Sequence, residues 1–320
     1  METEASMEPS TVIDPVTTSI SKIKPFIKIP GGKRKLSQEL LSYFPSDFFE
    51  KQGTYVEPFF GGGAVALEVI KKFTAAGVQQ SDLSPRVLVN DFNPHLSNLW
   101  NMVIEDSSLV LEKFNEHIRK HSEDYFYEVR SSLEPIQTDG TSQVFVDPFQ
   151  TAADFLYLDK NCFNGLIRYN KKGEFNSPIG KFPKPQTIDA SNLLNLQLGL
   201  KGLYVYDKDF VDFVQTLMAG QDLTENTLVY FDPPYVPLTE TSSFTDYTSR
   251  GFTEDDQLRL KGLVDRLTRM NVKVILSNSY TSWVTNEYSD YNINSIQAGR
   301  SINSVGKSRG KIKELVITNF

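Results

Sequence analysis

The chain has 320 residues, 39% hydrophobic and 23% charged, with 33 basic against 40 acidic side chains and a net charge of -7. Such a composition excludes a disordered or fibrous chain, and the length suits one large domain or two unequal ones. No apolar run approaches the roughly 20 residues of a membrane helix, the lone Cys162 excludes an internal disulfide, and three scattered histidines (His95, His117, His121) argue against a zinc centre.

Residues 1–20 carry four acids and no base and read as a disordered tail, without the basic start and apolar run of a secretory signal. The expected setting is a reducing cytoplasm. A short apolar segment then meets the turn Gly31-Gly32, and a helix is predicted over 36–44. TYVEPF (54–59) predicts a strand, followed by Gly61-Gly62-Gly63 and the helical pattern AVALEVIKKF. RVLVND (86–91) predicts a second strand ending in Asp91, with a helix through LSNLWNMVI. Strand, glycine turn, helix, strand is the opening of a doubly wound α/β domain.

Residues 108–130 read as polar helix, and 131–150, rich in Ser, Thr, Gln and Pro, as a loop or flexible insertion. A helix over 151–160 leads into CFNGLIRYNKKGEFNSPIG, which has no clean period and is the kind of loop that binds something. GLYVYD (202–207), TLVYFD (227–232) and VKVILSN (272–278) restore the strand pattern, with a helix over 253–269. SVGKSRGKIKELVITNF reads as a hairpin turn and a terminal strand. The expected fold is α/β, a Rossmann-like core of 21–104 and 201–320 interrupted by a mainly helical module at 105–200.

Charge is unevenly placed. Residues 21–38 hold six bases and no acid, Lys160 to Lys184 six bases against Glu174 alone, and Arg300 to Lys313 five bases and no acid. A polyanion responds to the local potential of one face rather than to the sum over the chain. Charge alone fits three solvated loops equally well.

Glycines between a strand and a helix let a ligand approach the backbone, although Gly61 to Gly63 do not complete the dinucleotide fingerprint and also fit a tight turn. Asp91 suits a ribose diol, or the N-cap of a helix entered at Pro94. Asp232-Pro233-Pro234-Tyr235 is the sharpest feature. Asp232 is expected at a strand's carboxyl end, and the two prolines hold the chain in a restricted shape with carbonyls free to accept. A carboxylate beside a carbonyl suits an amino group that donates two hydrogens while its nitrogen attacks. Tyr235 offers a ring on which a planar base stacks.

FIKIPGGK, YVEPFFGGG, NDFN, FNGLIRYNKKGEFNSPIG, FDPPY and RGKIKELVITN, in this order, resemble the Dam-type DNA adenine-N6 methyltransferases from about Pro25 to the C-terminus. The resemblance implies an S-adenosylmethionine-dependent methyltransferase core, with a target-recognition domain at 105–200 and its hairpin near 161–180. It implies that Lys33, Glu57, Pro58, Phe59, Phe60, Gly61, Gly63, Asp91 and Asp232 hold the cofactor, with Ile29 where the family usually has tryptophan. Asp232, Pro233, Pro234 and Tyr235 would form the catalytic site, and no metal is needed. Phe163 would wedge into the duplex, Asn164, Leu166, Arg168 and Pro178 would meet the bases of GATC, Arg168 pairing with guanine, and Asn170 would also touch DNA. Lys160, Lys171, Lys172, Lys181, Arg250, Arg309 and Lys311 would meet phosphates, and Phe244 and Tyr247 would shield a flipped adenine. Cys162 reads as a packing residue. The implied partner is double-stranded DNA, with a separate restriction endonuclease outside the chain and one chain as the working unit. Cytosine-N4 methylation, another methyl acceptor and a non-catalytic DNA-binding protein remain open on the residues alone.

Overall fold

The computed structural model describes residues 15–29, 31–137, 142–236, 251–299 and 311–320. Its centre is a seven-stranded sheet: β1 (Thr54–Glu57), β2 (Val87–Asn90), β3 (Val205–Tyr206), β4 (Thr227–Phe231), β5 (Lys273–Ser279), β6 (Asn292–Gly299) and β7 (Lys311–Thr318). The order is β3-β2-β1-β4-β5-β7-β6. β1 to β5 pair in parallel, whereas β7 runs antiparallel between β5 and β6. Strand order reverses between β1 and β4, and the carboxyl ends flanking such a switch point are where open α/β sheets take ligands. The residues after β1 and β4 are the glycine turn and Asp232.

β4 is buried throughout and apolar after Thr227, as suits a central strand covered on both faces. Its side chains alternate: Leu228 and Tyr230 join one core, Val229 and Phe231 the other. The second core is closed by the helices Phe210–Ala219 and Glu254–Arg269, which bury Phe213, Leu217, Leu260 and Val264. The first is closed by Ala64–Ala75, Pro94–Lys120, Pro148–Asn161 and Ala190–Gly199. The inserted helices thus share a core with the sheet instead of building their own. Pro94–Lys120 bends at Asp106 (φ -148°, ψ 89°), whose carboxylate accepts from the Ser108 and Leu109 amides at 3.0 and 3.1 Å and so restarts the helix.

The disordered tail expected over 1–20 is corrected from Pro15 onward. Pro15–Lys22 is a helix with Ile20 buried, and a Cβ on Gly199 would stand only 2.9 Å from the Ile20 side chain. Residues 1–14 lie outside the described residues. Within the 131–150 stretch, the helices on either side reach Ser132 and begin at Pro148, and the described residues between them, 133–137 and 142–147, are loop, as the composition suggests, but anchored: Leu133, Ile136 and Phe145 are buried. The Ile136 amide donates to the Gly173 carbonyl at 2.8 Å.

Gly173 has φ +77°, and a Cβ there would come within 2.0 Å of the Ile136 carbonyl oxygen. Gly77 has φ +88° with nothing within 4 Å of such a Cβ. Gly173→Ala is therefore expected to lower unfolding free energy by about 2–5 kcal/mol, combining left-handed strain with overlap. Gly77→Ala should cost only about 1–2 kcal/mol from backbone strain. Urea midpoints of the two variants check the difference.

Candidate active site

β1 ends on Glu57, buried, which accepts from the Tyr55 hydroxyl at 2.8 Å. Burial pushes its carboxyl well above the usual range, opposed by the Tyr55 hydroxyl. The following loop is tied to β2, since the Phe60 amide donates to the Asn90 carbonyl at 2.8 Å and the Asn90 side chain donates to the Pro58 carbonyl at 3.0 Å. Gly61 (φ +51°) and Gly63 (φ +72°) take the left-handed turn. A Cβ on Gly63 would lie 2.9 Å from the Phe60 ring and 3.1 Å from Trp100, so only glycine closes the turn there. Phe59 faces the other side, against Phe210 and Phe252 at 5.2 and 5.8 Å. Ile29 stands beside the loop, 3.6 Å from where a Gly62 Cβ would be.

Asp91 accepts from the Gly61 amide at 2.7 Å and from the Asn93 amide at 2.9 Å. It does not cap the next helix; Asn93 does, accepting from the His95 and Leu96 amides. Burial pushes the Asp91 carboxyl up to about 6, partly offset by those two amides.

Asp232 leaves β4 beside this loop. Lys33, from the turn Lys33–Lys35, places its ammonium 2.8 Å from Asp232 Oδ1, 3.0 Å from the Gly31 carbonyl and 3.9 Å from Glu314 Oε2. The same ammonium lies 4.6 Å above the centre of the Tyr235 ring. The Tyr235 hydroxyl donates to Glu314 Oε2 at 2.9 Å. Burial pushes the carboxyls of Asp232 and Glu314 up, opposed in both by the Lys33 charge. Gln257 donates to the Pro234 carbonyl at 3.0 Å, and Asn278 accepts from the Val236 amide at 3.3 Å. These bonds fix the path after Asp232, while no described residue donates to the Pro233 carbonyl.

The segment near 161–180 is a hairpin with antiparallel bridges Cys162↔Ile179 and Tyr169↔Phe175. Period two is plain: Ile167, Tyr169 and Phe175 are buried, whereas Arg168, Lys171, Lys172 and Pro178 are exposed. Phe163 is 46% exposed and precedes Asn164, held at φ 59°. Leu166 is half-buried. Arg168 Nε donates to the Asn176 side chain at 2.8 Å. The Asn170 side chain closes the turn, accepting from the Lys172 and Glu174 amides and donating to the Glu174 carboxylate at 2.6 Å. Cys162 is buried, with its thiol pushed up by burial. Lys160 departs from expectation: its ammonium turns inward to the Phe26 carbonyl beside buried Asp159, which removes it from any exposed phosphate-binding row. Beneath the hairpin the Tyr169 hydroxyl lies 3.2 Å from Asn93 Oδ1 and 3.0 Å from His95 Nδ1. His95 Nε2 lies 2.9 Å from the Glu134 carbonyl, so Nε2 carries the hydrogen and Nδ1 accepts. Burial holds His95 down at about 3 and therefore neutral.

A family model of the D12 class N6 adenine-specific DNA methyltransferases matches residues 30–302. The chain belongs to that family. A type II methyltransferase, M1.LlaDCHI, of Lactococcus lactis subsp. cremoris is 34% identical over 93% of this chain and 96% of its own length. M.MjaIII, a type II methyltransferase of Methanocaldococcus jannaschii, is 33% identical over 93% of this chain and all of its own length. The DNA adenine methylase of Escherichia coli K12 is 30% identical over 93% and 95%.

In this D12 methyltransferase the fold brings Lys33, Asp232 and Tyr235 into one cluster and joins Gly61 to Asp91, while the hairpin residues form a second, separate set. Phe244, Tyr247, Arg250 and Arg309 lie outside the described residues. Lys311 opens β7, and its side chain is likewise outside the description. Sequence reasoning missed Glu314 and Gln257. Glu314 lies within KELVIT, where the apolar run LVI marks a strand, but its contact with Tyr235 depends on the register that pairs it with Ser279. Among the described residues no group of acidic, cysteine and histidine side chains forms a metal cluster, and no helix is long and apolar enough to cross a membrane.

Proposed function

We propose that the methyltransferase acts within GATC in duplex DNA, turning the adenine out of the stack and passing the methyl group directly to N6. The observation that carries this reading is a half-buried carboxylate, Asp232, at the sheet's switch point, with the Pro233 carbonyl, to which no described residue donates, and the ring of Tyr235 beside it. S-adenosylmethionine fits the neighbouring loop. Asp91 uses two acceptor sites on backbone amides and keeps others for a ribose diol, and the space where a Gly61 Cβ would stand is open to 4 Å. Glu57, Pro58, Phe59, Phe60, Gly63 and Lys33 complete the cradle. When bound, S-adenosylmethionine supplies an electrophilic methyl group on a sulfonium.

Asp232 and the Pro233 carbonyl each accept one hydrogen of the adenine amino group, which aims the nitrogen lone pair. Pro234 holds the turn, with its own carbonyl engaged by Gln257. Tyr235 stacks on the base. The Asp232 carboxyl, held high by burial, takes the proton that the methylated nitrogen sheds. Orientation and electrostatic preorganisation carry the rate, and no metal or covalent enzyme intermediate enters. Phe163, Asn164, Leu166, Arg168 and Pro178 read the bases, while Lys171, Lys172, Arg250, Arg309 and Lys311 meet phosphates. The names of two relatives, type II methyltransferases, support a separate restriction endonuclease as partner, and an enzyme acting on DNA fits a cytoplasmic setting. One chain holds the proposed catalytic, cofactor-binding and DNA-binding residues, which supports a monomeric working unit.

Mapping methyl groups at single-nucleotide resolution on unmodified plasmid is expected to give N6-methyladenine confined to GATC. Adenine methylation at another sequence would retain the reaction and overturn the assignment of the hairpin, and a methylated cytosine would overturn the reaction.

Cofactor affinity should also depend on pH. The Asp91 carboxyl sits at about 6, so it is charged at pH 7 and protonated at pH 5, where it loses charge and acceptor sites. The dissociation constant of S-adenosylmethionine is expected to rise about tenfold between those values, read by calorimetry, and to be weak and flat in Asp91→Asn. Folding has the opposite sign. A carboxyl raised above 3.8 gives the folded chain a bound proton between 3.8 and about 6, a stability contribution lost as pH rises through that window.

A further inference from the structure

Lys33 occupies both features that the adenine must use. Its ammonium donates to Asp232 Oδ1 at 2.8 Å and covers the Tyr235 ring at 4.6 Å. An ammonium and an amino group are both donors, and they compete for one carboxylate oxygen. A base stacked on Tyr235 competes for the same ring face. The lysine must therefore move, yet its side chain is only 5% exposed, and a buried ammonium stripped of its counter-charge is costly.

We propose that Glu314 is the second seat of the Lys33 ammonium, taken up when the adenine amino group claims Asp232. The inference rests on the reading of Asp232 as acceptor of that amino group. Glu314 Oε2 is already 3.9 Å from Lys33 Nζ, so a shift of about 1 Å makes a charge-assisted hydrogen bond. The seat is fixed in place. Glu314 is held in β7 opposite Ser279, and the Tyr235 hydroxyl donates to the same Oε2 at 2.9 Å. That tether links the seat to the ring being vacated. No bond forms or breaks and no proton crosses. One ammonium and two carboxylates are present before and after, and the neutral amino group replaces the ammonium on Asp232. Glu314 is thus a positioning residue, acting on the substrate through Lys33.

The test uses Glu314→Gln, which keeps the shape and an acceptor for Tyr235 but removes the charge. Two quantities are read: the single-turnover methylation rate at saturating cofactor and duplex, and equilibrium affinity for duplexes carrying adenine or unsubstituted purine at the target. The wild type is expected to favour adenine over purine about tenfold, the amino group being the only difference. Glu314→Gln should lose that preference, bind the purine duplex within about twofold of wild type, and methylate at least about tenfold more slowly. Glu314→Asp, which keeps the charge, should recover most of the rate. An unchanged rate and preference in Glu314→Gln overturns the proposal, as does equal weakening for both duplexes without recovery in Glu314→Asp. If Glu314→Gln does not fold, the side-chain nitrogen resonance of Lys33 in the labelled wild type decides. It should shift when the adenine duplex binds, and an unmoved resonance overturns the proposal. An active Asp232→Asn enzyme would defeat the reading of Asp232 itself; an inactive one beside a wild-type-like Glu314→Gln defeats this inference alone.

Discussion

Asp232→Asn is expected to slow methyl transfer by about 10³-fold while leaving duplex affinity within about threefold. An amide presents one weaker acceptor in place of a carboxylate aimed at developing positive charge on N6, and losing one such preorganised group costs about 2.7–4 kcal/mol. Single-turnover assays and a separate binding titration check the two halves. The fold should survive. The charge left unpaired by the substitution is that of Lys33, and Glu314 Oε2 stands 3.9 Å away to receive it. The double variant Asp232→Asn with Glu314→Gln removes that refuge and is expected to lose about 3–5 kcal/mol of stability.

Arg168→Ala is expected to weaken cognate binding about 5- to 150-fold and to relax selection at a single base pair, since one bidentate guanine contact discriminates by about 1–3 kcal/mol. Arg168 is exposed, and its one described bond, through Nε to Asn176, sets the direction of the guanidinium while its terminal amino groups stay available. Non-specific affinity and its salt dependence should change by little more than one charge's worth. Lys171→Ala should do the reverse, weakening all duplexes alike and reducing the salt slope by about 1. Titrations against a panel of single-substituted duplexes at two salt concentrations separate the outcomes.

Much of the sheet was legible because its central strands are buried on both faces and so read as short, mostly apolar runs: Thr227–Phe231 falls within its predicted segment, and Lys273–Ser279 runs one residue beyond the predicted 272–278. β6 was not legible. NINSIQAG is an edge strand with polar side chains at half its positions and only two large apolar ones, which leaves little contrast to read. The helix Phe210–Ala219 was missed although its buried Phe210, Phe213, Val214 and Leu217 follow a clean helical spacing, and Ala190–Gly199 because its asparagines read as turn residues. Asp232, Asp91 and the glycine turn could be found because each follows a recognisable strand. The role of Asn93 as cap, with Asp91 free to hold the glycine loop, depended on which side chain turned inward. Glu314 was out of reach for a stronger reason. Its partners Lys33 and Tyr235 lie far away in the chain, and only the antiparallel insertion of β7 brings them together.

The seating of the hairpin has a practical consequence for anyone wishing to redirect the enzyme to a new sequence. Tyr169 reaches from the hairpin to Asn93 and His95, and Gly173 lies against Ile136. A transplant of residues 161–180 alone into a relative would strand a buried hydroxyl and set a turn against an unfamiliar backbone. On the proposed role of the hairpin, the smallest portable unit therefore comprises three discontinuous pieces, the hairpin together with 93–95 and 133–136, and chimaeras cut at the hairpin's own ends should misfold more often than those that carry all three.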